Sequence, residues 1–332
     1  MMPTAAPGLT ESVFGSFDLR KLFISSVAVA GMSIGAAFAQ GADDRIDNVA
    51  QPAAGSFTAT YSAGIEYDSN VSVLDVDVST TRADFAALFD FGVAYEHTLG
   101  EGTKVEAGYD FGQDIQFEVT GFNTQTHRGK AEISHDFGGV TAGATYQLIY
   151  SRLDGAGFLR FHRLTPFVSG YAANRKVYWR GSYIYTDKNF INRIDRDGDV
   201  HAGSLDVYYF LNGLKTYLIS GYRFETENTA APQFDFDSHN VRVRLVQRVA
   251  LTERPSKLRV GFRYENRNYK AITPSIGEIR DDVRYRAEAS FETPITDVIY
   301  TELSARYDIL DSNLPSVDFE QGIVALRIGG RF

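Results

Sequence analysis

From Phe57 onward the chain alternates apolar and polar residues with a period of two, in segments of roughly 10 to 14 residues, longer than strands of most soluble domains. The opening segment places Phe57, Ala59, Tyr61, Ala63, Ile65 and Tyr67 on one face. Thr58, Thr60, Ser62, Gly64, Glu66 and Asp68 occupy the other. The next repeats the pattern with Phe85, Ala87, Phe89, Phe91, Val93 and Tyr95 against Asp84, Asp90, Gly92 and Glu96. Such alternation makes a sheet with one apolar face, either turned inward in a sandwich or outward into lipid.

The links between segments separate these cases. Tight links are expected at Leu99 to Gly102, Gly138-Gly139, Ala172 to Arg175, Asn212-Gly213, Thr252 to Ser256 and Thr293 to Thr296. They alternate with longer polar links at Ser69 to Thr80, Ile115 to Thr124, Leu153 to Arg160, Asn189 to Asp199, Thr226 to Ser238, Asn266 to Arg280 and Leu310 to Asp318. Short-long alternation is the habit of a transmembrane antiparallel β-barrel with short periplasmic turns and longer extracellular loops. Seven long links, with both termini on the short-link side, imply about 14 strands and an all-β fold.

Composition excludes the main alternatives. A mean hydropathy of -0.20 rules out several membrane helices, each of which needs about 20 consecutive apolar residues. Zero cysteines remove thiolate catalysis, cysteine metal sites and disulfides. A net charge of -9 argues against nucleic acid as a partner. Aromatic content of 13%, nearly all Phe and Tyr, fits the girdles of a membrane barrel.

The amino terminus reads as an export address. Arg20 and Lys21 precede an apolar run from Leu22 to Phe38, and Ala37-Phe38-Ala39 has the small-any-small form of a cleavage site. Residues 1–39 are expected to be a signal peptide with an extended n-region, cut between Ala39 and Gln40. Residues 40–55 are expected to be a short periplasmic tail, and 56–332 the barrel. At the other end Val324, Leu326, Ile328, Gly330 and Phe332 share one face. A closing aromatic there resembles the signal read by the barrel-assembly machinery, an expected partner along with outer-membrane lipid and lipopolysaccharide. The expected location is the outer membrane of a Gram-negative bacterium.

The stretch Gly64-Ile65-Glu66-Tyr67-Asp68-Ser69-Asn70-Val71 resembles the opening motif of the β-barrel porin family found beside exopolysaccharide-export genes. The barrel is also similar to that of surface-lipoprotein assembly modifiers, which usually place helical repeats before it; the short tail leaves no room for them. The resemblance implies a porin-like channel for polar solutes or for export of polysaccharide, with polysaccharide-export components as partners. The alternatives are a non-conducting barrel for surface display and a lipoprotein-secretion helper. Inward Tyr178, Tyr208 and Tyr217 plugging the lumen would favour the non-conducting form.

Charge inside the expected barrel is uneven. The acidic positions Glu66, Asp84, Asp90, Glu96, Glu106, Asp110 and Asp114 lie early, and the basic positions Arg242, Arg244, Arg248, Arg259, Arg263, Arg284 and Arg286 late. In a ring of about 14 strands the third and tenth are opposite, which would set a transverse field across a constriction. The same residues could instead form salt-bridge ladders filling a closed lumen, with Glu265 and Glu288 as acids for Arg263 and Arg286.

Two further motifs bear on metal binding and catalysis. Asp195, Asp197 and Asp199, with Asp206 at the twelfth position, partly match a calcium loop, although Val200 stands where the sharp-turn glycine belongs. Of the six histidines none lies in a nucleophile signature, and Ser238-His239 is the one pair that could act as a dyad. No enzyme activity and no cofactor is expected.

Overall fold

The computed structural model describes residues 55–251 and 253–332; the expected signal peptide, its cleavage site and almost all of the tail lie outside the described residues. Fourteen long strands run in sequence: β1 (Ser56–Asp68), β2 (Asp84–Leu99), β3 (Thr103–Gln116), β4 (Thr124–Asp136), β5 (Val140–Leu153), β6 (Ala156–Ala172), β7 (Val177–Phe190), β8 (Gly198–Asn212), β9 (Thr216–Thr229), β10 (Phe236–Val249), β11 (Ser256–Thr273), β12 (Glu278–Pro294), β13 (Ile299–Ser312) and β14 (Phe319–Arg331). Each pairs antiparallel with its sequence neighbours, and β1 pairs with β14, so the sheet is a closed barrel. Closure satisfies every strand edge, which hydrocarbon requires.

The expected outer face is outer. Phe57, Tyr61, Ile65 and Tyr67 on β1 and Phe85, Phe89, Phe91 and Tyr95 on β2 are exposed, whereas Thr60, Ser62, Asp68 and Asp90 are buried. The sandwich reading is thereby excluded, because its apolar face would be covered.

Phe332 completes the seam. Its backbone N–H donates to the Ala59 carbonyl at 2.9 Å and its carbonyl accepts from the Ala59 N–H at 3.0 Å. Its ring stacks on Tyr61 with centroids 6.0 Å apart. Deleting Phe332 exposes an unpaired edge at lipid level, where unsatisfied backbone groups are costly. A severalfold drop in the heat-modifiable folded fraction after reconstitution is the expected outcome, and an unchanged fraction would remove this role.

Two of the expected long links are short. Leu153 to Arg160 collapses to the two-residue turn Asp154-Gly155, with φ of 49° and 72°, the left-handed pair of a type I′ hairpin. Between β11 and β12 only residues 274–277 are out of the ladder. In both places the strands continue beyond the apolar belt. An outward position there no longer needs an apolar side chain, so the period-two signal fades while the backbone pairing persists.

Candidate functional site: the barrel lumen and its inward loop

The link from β1 to β2, residues 69–83, does not project outward as a solvated loop. Residues 72–73 pair with 78–79 as a small ribbon, and a 3₁₀ turn spans Leu74–Val76. Val76 packs with Ile149, Leu159, Phe161 and Phe190, inward residues of β5, β6 and β7. At its tip Asp77 adopts a φ of 55°, which aspartate tolerates better than most residues. Its carboxylate accepts from Arg280 at 3.0 Å, at the start of β12, and is paired with Arg196, in the link between β7 and β8. Arg196 also donates to the Asp75 carbonyl at 3.1 Å and covers the Phe234 ring at 3.9 Å. Since β8 lies half a ring from β1, the loop crosses the mouth and is latched by Arg196 on the far side and by Arg280 three strands from β1.

Burial pushes the Asp77 carboxyl up, but Arg280 and Arg196 together outweigh it and hold it below the ordinary aspartate value. Asp75, in the same loop, is raised, chiefly by burial. Beneath the loop lies a cavity of about 90 Å³ bordered by Asp75, Phe161, Arg163, Glu227 and Arg284. This inward loop was missed in the sequence, although Val71, Val73, Val76 and Val78 are apolar where a solvated loop would be polar.

Along the barrel wall the charged residues singled out above occupy inward register positions. Asp84 lies directly opposite inward Asp68 at the loop end of that face, and its carboxylate accepts backbone N–H groups from Phe85 at 2.7 Å and from Glu118 and Val119 at 2.8 Å each, capping the link after β3. Glu66, Asp90, Glu96, Glu106, Asp110 and Asp114 line β1–β3. Arg242, Arg244 and Arg248 line β10, with Arg259 and Arg263 on β11 and Arg284 and Arg286 on β12. Strands β3 and β10 are half a ring apart, so the two walls oppose each other.

Each wall also carries local partners. Arg242 meets Asp206 at 2.7 Å, Arg244 meets Glu288 at 2.5 Å, and Arg259 reaches Glu292 and Glu302 at 3.3 Å each. Glu265 takes Arg267 at 2.6 Å, so the closest ion pairs of Glu265 and Glu288 are with arginines other than Arg263 and Arg286. Arg286 instead shares Asp308 with Arg284 and Arg306, at 2.7, 3.0 and 2.9 Å. On the acidic side Lys104 pairs with Glu96 at 2.9 Å and Lys130 with Glu106 at 2.6 Å, while Arg327 approaches Asp90 at 3.8 Å. Asp308, Arg306 and Arg327 belong to the site and escaped the sequence reading, since Arg284 and Arg286 reach Asp308, and Asp90 reaches Arg327, from other strands.

Tyr178, Tyr208 and Tyr217 do turn inward, and Tyr208 and Tyr217 are fully buried with Ile219 and Val246. They come from the adjacent strands β7–β10, so the cluster thickens one wall and does not bridge the lumen. The aspartates of the supposed calcium loop part company. Asp197 accepts the Phe190 N–H at 2.6 Å, Asp199 faces His201 at 3.1 Å, and Asp206 is bound to Arg242 inside the barrel. Among the described residues no group containing Asp195, or any other such trio, is placed to hold a metal ion. Ser238 is buried inside while its neighbour His239 bonds Tyr222 on the outer surface, so the two cannot form a dyad.

No protein-family model and no curated protein sequence matches the chain. Among solved structures it is similar to an anion-selective porin from Comamonas acidovorans, at 9% identity and a TM-score of 0.50, covering 84% of this chain and 99% of that one. A loop-deletion mutant of OmpT, an outer membrane protein of Vibrio cholerae, is similar at 11% identity and a TM-score of 0.49, over 84% of this chain and 100% of the other. A bacterial polysaccharide outer membrane secretin is similar at 11% identity and a TM-score of 0.45, over 82% and 98%. The closed antiparallel ring of fourteen strands and the first of these likenesses define the fold as that of an outer-membrane β-barrel.

Proposed function

We propose that the chain forms a porin-like channel for polar solutes across the outer membrane. The observation that carries this reading is the wetness of the charged wall. Inward Glu106, Lys130, Glu288 and Arg267 are ion-paired, yet their side chains keep 28%, 22%, 34% and 32% of their area exposed. Ladders packed to fill a closed lumen would lose that exposure. Acidic β1–β3 and arginine-rich β10–β12 then face each other across water, an arrangement that orients dipolar and charged solutes.

Planar-bilayer recording of the refolded protein tests the proposal: discrete channels are expected, and their absence from correctly folded protein overturns it. Replacing Arg242 and Arg263 by glutamine removes two positive charges from one wall. The reversal potential in a salt gradient is expected to move toward cation preference, and replacing Asp90 and Asp114 by asparagine is expected to move it the other way.

One observation favours the non-conducting display barrel: the first loop crosses the mouth. The same recordings separate the two, because a permanently closed mouth passes no current. Export of polysaccharide is the narrower form of the channel reading, supported by the Gly64 to Val71 motif. Slowing of ion current by added neutral polysaccharide is its expected signature.

A further inference from the structure

Four hairpins repeat one arrangement on the outside of the barrel. A tyrosine on the first strand shares a hydrogen bond with Nδ1 of a histidine on the second: Tyr109 with His127 at 2.7 Å, Tyr146 with His162 at 2.6 Å, Tyr183 with His201, and Tyr222 with His239 at 2.9 Å. The register is identical each time. The tyrosines pair directly with Gly129, Leu164, Gly203 and Val241, and the histidine stands two positions nearer the loop end. The pairs occupy β3–β10, an arc of eight consecutive strands.

These histidines face lipid. Their tyrosines are exposed on the apolar belt, and further aromatic rings flank three of them: Phe111 beside His127 at 5.3 Å, Tyr185 beside His201 at 5.2 Å and Phe224 beside His239 at 5.2 Å. Two positions nearer the loops the outward residues are Gln125, Arg160, Asp199 and Asp237. Nε2 points that way, reaching Gln125 at 3.3 Å from His127 and Asp199 at 3.1 Å from His201. Every histidine thus sits where the stripe turns from aromatic to polar, which is the level of the headgroups.

We propose that this arc is a docking collar for phosphorylated lipid headgroups of the leaflet at the loop end. The tyrosine hydroxyl donating to Nδ1 leaves the ring proton on Nε2. It also satisfies a nitrogen that would otherwise be desolvated against acyl chains. Each ring therefore holds an N–H donor at the height of the lipid phosphate. The members differ in strength. Asp199 competes at His201, Asp187 stands directly across the β6–β7 pair from His162, and Asp237 beyond His239 is held by Lys270 at 2.9 Å, whereas the Gln125 neighbour of His127 is bonded by Arg152 at 3.1 Å, making the β3–β4 hairpin the most cationic. On β13–β14 the tyrosine hydroxyl of Tyr307 donates instead to Glu320, so that sector repels the same headgroup. The collar holds whether or not the lumen conducts.

The full chain, refolded into phosphatidylcholine vesicles containing a minor share of phosphatidic acid, provides the test. Spin-labelled phosphatidic acid is expected to be held at the barrel surface severalfold more than spin-labelled phosphatidylcholine. Changing His127, His162, His201 and His239 to glutamine is expected to abolish that preference while heat-modifiability stays unchanged, with His127→Gln alone removing the largest single share. Lack of preference in the native protein, or its survival in the fourfold variant, overturns the proposal. If the fourfold variant does not fold, changing Tyr109, Tyr146, Tyr183 and Tyr222 to phenylalanine keeps the rings and releases Nδ1. The preference is then expected to fall, and an unchanged preference overturns the collar.

Discussion

Asp308→Ala is expected to lower the stability of the folded barrel by about 3–5 kcal/mol, the range seen when one partner of a buried ion pair is removed. Asp308 has no exposed surface, and its carboxylate is the meeting point of Arg284, Arg286 and Arg306, at 3.0, 2.7 and 2.9 Å. Without it three guanidiniums on β12 and β13 face one another with their shared counter-charge gone. Repulsion is then added to the cost of desolvation. Asp308→Asn keeps the shape but not the charge, so most of the loss is expected to remain. Urea unfolding of the vesicle-inserted protein, followed by tyrosine and tryptophan fluorescence, measures the difference. A loss below about 1 kcal/mol, typical of exposed pairs, would mean that water screens the cluster and that it is not a structural anchor.

Removing residues 71–80 and closing the gap with two glycines is expected to raise single-channel conductance severalfold. The gap is easily closed, because the Thr80 N–H already donates to the Val71 carbonyl at 2.9 Å. The loop is the one described segment that reaches from the β1–β2 side to β7 and β12. Without it the opening is bounded by the wall alone. The latch has a definite pH dependence. The Asp77 carboxyl lies lower in the folded protein than its ordinary value of 3.8, so its contribution is fully present above that value and is lost as pH falls below it. Conductance of the intact protein is therefore expected to be flat from neutral pH down to about 4 and to rise only in stronger acid. Arg280→Gln removes the leading cause of the lowering, so opening is expected to begin at milder acidity. Equal conductance in the deleted and intact proteins would show that the loop does not set the narrowest point.

Much of the barrel was legible because its determinants are local. A strand in lipid must show one apolar face to hydrocarbon, so Phe57 to Tyr67 and Phe85 to Tyr95 state both strand and orientation without knowledge of their neighbours. The same holds for the tight links, where Asn212-Gly213 stops one strand and starts another. The errors have the same origin. Past the apolar belt the requirement lapses, and the ends of β6 and β11 read as loop although their ladders continue. Asp154-Gly155 is as strong a turn signal as Asn212-Gly213, and it was absorbed into a longer polar stretch.

By itself, then, the sequence determined a closed antiparallel ring of fourteen amphipathic strands, which face is outer, and the sign of charge on each wall. Those properties follow from side-chain alternation, a period that each segment carries alone. Only the tertiary structure decided which charges meet, that the first loop turns inward, and that tyrosine and histidine share a bond on four hairpins. Each of these depends on register between strands or on contact across the mouth. Asp77 and Arg280 lie 203 residues apart in the chain, and no local pattern announces that they will touch.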